Sequence, residues 1–183
     1  MERKLTPLAV EDVQAKLVDD LRHGGVFLTA GKGEKANTMT IGWGGLTEFF
    51  GRQGWGGLTE SLTGKVFVAP VRTSRHTFPL LCEGGAFTVS IPRHDMKKEL
   101  AYAGSHSGKN ENKWEGHGLT PAPAHSVDTM IVSECELFLE CRVIAKAAMQ
   151  PVQMDEELRR RFYADGDMHT LFLGEIVACY SLS

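Results

Sequence analysis

The sequence of 183 residues predicts a mainly β protein, a closed or nearly closed antiparallel barrel with short connecting helices. Two observations predict it. Apolar stretches of strand length recur along the chain, at Val26–Ala30, 37–43, 65–71, Ala86–Ile91, 134–149 and 171–180. The helical stretches between them are short and irregularly placed, unlike the regular long crossovers of a parallel doubly wound sheet.

Each element has a local reason. Val10, Val13, Leu17 and Leu21 fall on one helical face, and Gly24-Gly25 stops the pattern. The strand Val26–Ala30 leads into a turn-rich run at 31–35, and the strand 37–43 follows. After the strand 65–71, Thr77 is expected to N-cap a helix over 78–83, with Pro79 in its first turn and Gly84-Gly85 ending it. Residues 96–103 form the next helix, and the loop 104–113 is too polar to be core. Prolines make 118–124 extended. The long strand 134–149 alternates at Leu137, Leu139, Cys141 and Val143. A helix over 155–163 follows, with Asp155 as N-cap and Glu156 and Glu157 suited to its dipole. No domain boundary is visible, so residues 1–183 read as one domain, with 1–24 as an N-terminal helical extension.

Composition narrows the function. A net charge of −3 and a pI near 6.2 give no electrostatic case for nucleic acid or an anionic membrane. No signal-type leader or membrane-length apolar run is present, so the cytoplasm is the expected compartment. Cys82, Cys135, Cys141 and Cys179 lack metal-ligand spacing and read as reduced, mostly core thiols; no metal is expected. No Rossmann, P-loop or nucleophile-elbow fingerprint occurs.

Three segments carry chemistry. In 72–77, Arg72 and Arg75 offer guanidiniums, and Thr73, Ser74 and Thr77 offer hydroxyls, a donor set suited to a phosphate monoester. The same run also reads as a solvated loop with surface arginines, and the residues alone leave both open. In 104–113, Gly104 and Gly108 permit close backbone approach, Ser105, His106 and Ser107 can bond a ligand edge, and Lys109 and Lys113 can reach an anion. A plain surface loop is the competing reading. Trp43, at the end of the run 37–43, can line a flat aromatic pocket or plug a barrel. His106 is the histidine set in a polar, glycine-flanked loop; the others read as surface or structural.

Taken together, 37–40 (NTMT) with Trp43-Gly-Gly, 71–77 (VRTSRHT), 104–108 (GSHSG) with Lys113, 118–120 (GLT), and His169 with 173–176 (LGEI) resemble the flavin reductase-like, FMN-binding split-barrel family, in particular its flavoredoxin-like group. The resemblance runs over about 26–180. It implies a Greek-key antiparallel split β-barrel that forms a homodimer with FMN near the interface. It places Asn37, Thr38, Met39, Thr40, Trp43 and the loop Ser105, His106, Ser107 and Gly108 beside the isoalloxazine. Arg72, Ser74, Arg75, Thr77 and Lys113 would surround the phosphate. It further implies an FMN-dependent oxidoreductase in which NAD(P)H gives hydride to flavin N5 and electrons pass to free flavin or a small-molecule acceptor. A non-catalytic electron carrier or redox-sensing module would use the same binding motifs. No catalytic side chain is demanded; His106 is the candidate for one.

The sequence departs from that family's pattern once. Trp43-Gly-Gly-Leu-Thr-Glu48 recurs as Trp55-Gly-Gly-Leu-Thr-Glu60, a duplication within 43–66. Trp43 is taken as the family tryptophan because it is continuous with the strand before it. The second copy reads either as a lid or as a tolerated insertion.

Overall fold

The computed structural model describes residues 4–49, 64–93 and 95–183. In chain order its strands are β1 (Leu5–Pro7), β2 (Val26–Ala30), β3 (Asn37–Ile41), β4 (Gly45–Phe49), β5 (Gly64–Arg72), β6 (Ala86–Ile91), β7 (Pro121–Pro123), β8 (Met130–Val132), β9 (Leu137–Ala148) and β10 (His169–Leu182). The helices are α1 (Val10–His23), α2 (Thr77–Gly84), α3 (Lys97–Ser105) and α4 (Glu156–Phe162). Antiparallel ladders run in the order β3-β2-β6-β9-β10-β5-β4, with β1 paired to β10 beyond that path. β7 and β8 pair separately. This is the mainly β antiparallel architecture with short connecting helices that the sequence predicts.

Period-two alternation divides the side chains of the central strands between two cores. From β2, Val26, Leu28 and Ala30 enter one core, while Phe27 enters the other. From β9, Leu139 and Cys141 join the first core and Phe138 the second. The first core is built around Phe67, Phe87 and Phe172, all fully buried, and also takes Val13 and Leu17 from α1. Each such side chain contributes about 1.5–3 kcal/mol of burial. The second core lies under α3, β7 and β8 and contains Leu100, Ala103, Ile131 and Tyr180. Central strands are therefore buried on both faces, which explains why β2 reads as a continuous apolar run rather than a strict alternation.

Polar groups in the second layer are paired. The Thr88 hydroxyl donates to the Met130 carbonyl at 2.6 Å, and the Val132 N–H donates to Ser90 Oγ at 3.1 Å, tying β8 to β6. Glu140 on β9 is fully buried. Its carboxylate accepts from the backbone N–H groups of His125, Ser126 and Val127 and from the Tyr180 hydroxyl at 2.7 Å. That complete satisfaction makes it an anchor for the loop before β8.

Several expected boundaries move. β3 ends at Ile41 rather than Trp43, and the first repeat copy contributes β4, paired with β5. Gly44, at φ +129°, makes this crossing: a Cβ there would lie 2.5 Å from the Val68 carbonyl oxygen. α3 extends through Ser105, and β10 runs from His169 to Leu182. Asp155 caps α4 by accepting from the Leu158 N–H at 3.0 Å. Thr77, however, is not the cap of α2. It is the first helical residue, His76 holds the cap position without a side-chain bond, and the Thr77 hydroxyl instead accepts from Asn37. The Trp55–Glu60 copy lies outside the described residues.

Candidate functional site

β3, the start of α2 and the end of α3 meet around one recess of about 160 Å³. Each piece is fixed by a specific bond. The Asn37 side-chain amide donates to Thr77 Oγ1 at 2.7 Å, joining β3 to α2. The Thr40 hydroxyl donates to the Leu100 carbonyl at 2.6 Å, docking α3 on β3. Lys113 Nζ donates to the carbonyls of Thr38 (3.0 Å) and Ala103 (2.7 Å), and Trp114 Nε1–H donates to the Ala36 carbonyl at 2.9 Å. The loop expected to be all surface is therefore stapled to the barrel at its end, and Lys113 is 3% exposed.

The lining includes Asn37, Met39, Ser74, Arg75, Thr77, Ser105, His106, Ser107, Gly108 and Lys113. Residues distant in sequence are thus gathered as one surface. Gly108 is required by close approach: a Cβ there would sit 2.1 Å from Asn37 Oδ1 and 2.9 Å from His76 Cδ2. Among the described residues the lining holds no carboxylate, and Arg75 has no ion-pair partner. Burial and the neighbouring Arg75 push the Lys113 ammonium down to about 8, although Glu111 opposes the shift. A lining with two cations, several hydroxyls and no acid is chemically suited to an anion.

Other candidates lie elsewhere. The Thr38 side chain is buried in the barrel, where Thr29 Oγ1 lies 3.0 Å away; only its carbonyl reaches Lys113. Thr40 serves the α3 contact. Trp43 is 44% exposed and packs edge-on to His169, with ring centroids 5.1 Å apart. Arg72 turns away from the recess. Its guanidinium donates to the Phe162 carbonyl at 2.8 Å and the Asp167 carbonyl at 3.1 Å, and lies over the Tyr163 ring. Ser74 reaches the recess, yet its hydroxyl donates to Asp167 Oδ2 at 2.7 Å.

Two histidines of this neighbourhood have no role assigned from the sequence. His76 lines the recess, and burial together with Lys109 and Lys113 holds its pKa below the usual histidine value. Its position inside the 72–77 run was the available signal. His169 Nδ1 pairs with the Tyr163 hydroxyl at 2.9 Å, and burial and Arg72 lower its pKa. His106 Nδ1 faces Ser105 Oγ and the Tyr102 carbonyl at 3.0 and 3.2 Å, which leaves Nε2 as the nitrogen for a ligand.

The ladders and short connections place the chain in the class of mainly β antiparallel barrels, with a cation-lined recess between a strand, a helix start and a glycine-containing loop. The particular family follows from sequence: the model of the flavin reductase like domain matches residues 61–183, and the chain belongs to that family. An uncharacterized protein of Archaeoglobus fulgidus is 31% identical over 144 residues, 79% of this chain; the chain spans 64% of that relative's length. Among solved structures, the flavoredoxin of Methanosarcina acetivorans is similar with a TM-score of 0.62 at 25% identity, covering 86% of this chain and 68% of that one. The flavoredoxin of Desulfovibrio vulgaris (Miyazaki F) has a TM-score of 0.60 at 25% identity, covering 85% and 68%. The fold is accordingly the split barrel that the resemblance implies.

Proposed function

We propose that the recess holds the phosphate end of FMN and that the protein is an FMN-dependent oxidoreductase, taking hydride from NAD(P)H and passing electrons to free flavin or a small acceptor. The observation that carries this reading is the convergence of Arg75, Thr77 and Lys113 with the Ser105, His106, Ser107 and Gly108 loop on one acid-free recess. Membership of the flavin reductase-like family supports the redox part. When bound, FMN supplies the two-electron and one-electron chemistry.

The chain's own residues have separate tasks in this reading. Arg75 and Lys113 bring positive charge to a dianionic tail, and Thr77 supplies a hydroxyl at the start of α2. Asn37 and Met39 on β3 and the backbone at Gly108 border the space next to the tail, where a ring edge would lie. The backbone N–H groups of Ser107 and Gly108, beyond the His106 N–H that closes α3 on the Tyr102 carbonyl, would be the donors to the pyrimidine side of that ring. The recess, at about 160 Å³, is smaller than the roughly 300–1,000 Å³ of pockets that enclose a whole ligand. In this reading the isoalloxazine would need a second surface, which the other protomer of a homodimer would supply. Val152, Leu158 and Phe162 are among the exposed large apolar side chains of the described residues, with Val18, Trp43 and Val177.

Among the described residues no helix is long and apolar enough to cross a membrane, and the cysteines are unpaired, in keeping with a reducing compartment. The test is the absorbance spectrum of the purified protein with FMN, followed by anaerobic titration with NADH and NADPH. Bleaching of the flavin bands on titration supports an oxidoreductase. A yellow protein that neither nucleotide bleaches favours a carrier.

A further inference from the structure

An internal carboxylate takes the donors that the sequence seemed to offer to phosphate. Asp167 Oδ1 accepts from the Ser74 backbone N–H at 3.1 Å and from the Thr73 hydroxyl at 3.2 Å. Its Oδ2 accepts from the Ser74 hydroxyl at 2.7 Å and lies 3.6 Å from Arg72 Nη1. Arg72 is held to the same segment by the carbonyls of Asp167 and Phe162, so it would stay there even without the carboxylate.

The far end of this short run is pinned separately, by the Asn37 amide on Thr77. Two turns bridge the pins: the Arg75 N–H donates to the Arg72 carbonyl at 3.1 Å, and the Phe78 N–H donates to the Arg75 carbonyl at 3.0 Å. Arg75 therefore stands at the bend of a segment clamped on both sides.

We infer that Asp167 is a positioning residue for the anion end of the recess: it folds residues 72–74 onto the 162–168 segment and thereby aims Arg75 at the ligand. This rests on the flavin reading above. It assigns Arg75, Thr77 and Lys113 to the phosphate, and Arg72, Thr73 and Ser74 to holding the turn.

A competing role makes the opposite prediction. If Asp167 merely occupied a phosphate position, removing it would free Ser74 and Thr73 and tighten FMN binding. The experiment is fluorescence titration of FMN and of riboflavin, which lacks the phosphate, into wild type, Asp167→Ala and Asp167→Asn. Asp167→Ala is expected to weaken FMN about tenfold while riboflavin changes less than about twofold. Asp167→Asn keeps an acceptor for the Ser74 N–H and is expected to fall between the two. If Asp167→Ala does not fold, the Asn variant carries the test through the same FMN-to-riboflavin ratio. An unchanged ratio, or tighter FMN, overturns the inference and leaves the flavin reading standing. A wild type that binds neither flavin overturns both.

Discussion

Lys113 Nζ donates to the Thr38 carbonyl oxygen at 3.0 Å, so the end of a polar loop is tied directly to the backbone of β3. A second carbonyl, that of Ala103, lies at 2.7 Å. An ammonium has three protons, and these two carbonyls leave one for the recess that Lys113 lines. One buried side chain thus couples loop, helix and strand to the proposed anion.

The charge on Lys113 sets a pH dependence. Its pKa is held down to about 8, so the recess loses a positive charge as pH rises through that value. FMN affinity is expected to fall from about pH 8 upward, while riboflavin affinity stays level. Stability runs the other way. The unfolded chain keeps its proton to about 10.4, so it binds more protons than the folded chain in that window, and stability rises there with pH. Lys113→Met should abolish the FMN profile, as read by flavin fluorescence titration between pH 6 and 10.

Arg75 and Arg72 are expected to separate cleanly. Arg75→Ala should weaken FMN by about ten- to a hundredfold, the worth of a charge-assisted hydrogen bond, with Tm changed by no more than a degree or two. Arg72→Ala loses bonds to Phe162 and Asp167 and its place over Tyr163, so Tm should fall. Calorimetry beside the titration distinguishes the two.

Gly108→Ala tests the close approach. The added methyl would meet Asn37 Oδ1, on the same amide whose Nδ2 donates to Thr77 Oγ1. Either the loop or the Asn37 contact must move, and flavin binding should drop sharply while the melting curve keeps its cooperative form.

Glu140→Gln tests the second layer. A neutral amide presents N–H groups to backbone N–H donors, so some of the four bonds to Glu140 are lost. A loss of about 3 kcal/mol, or a fall in Tm of roughly 6–12 °C, is expected. Flavin affinity per folded molecule should be unchanged.

What the sequence made legible follows from the range of the interactions. β2, β6 and β9 announce themselves by local apolar patterning, and α4 by Asp155 followed by Glu156 and Glu157. The polar runs around Arg75 and Ser107 stand out because hydroxyls, glycines and cations crowd together there. Asp167 left no such trace. Its partner Ser74 is 93 positions away, and nothing local marks an aspartate as an anion's rival. Lys113 looked like a loop lysine because its burial depends on Thr38 and Ala103. β1 and β4 are short strands lacking alternation, recognisable only through the partners β10 and β5.

The most direct measurement is the Kd ratio of riboflavin to FMN for wild type and Arg75→Ala, each purified free of flavin. A ratio well above one is expected for wild type, collapsing toward one in Arg75→Ala, with riboflavin binding itself little changed. Equal affinities for the two flavins in wild type, or a ratio unaltered by Arg75→Ala, would contradict the assignment of this recess to a flavin phosphate.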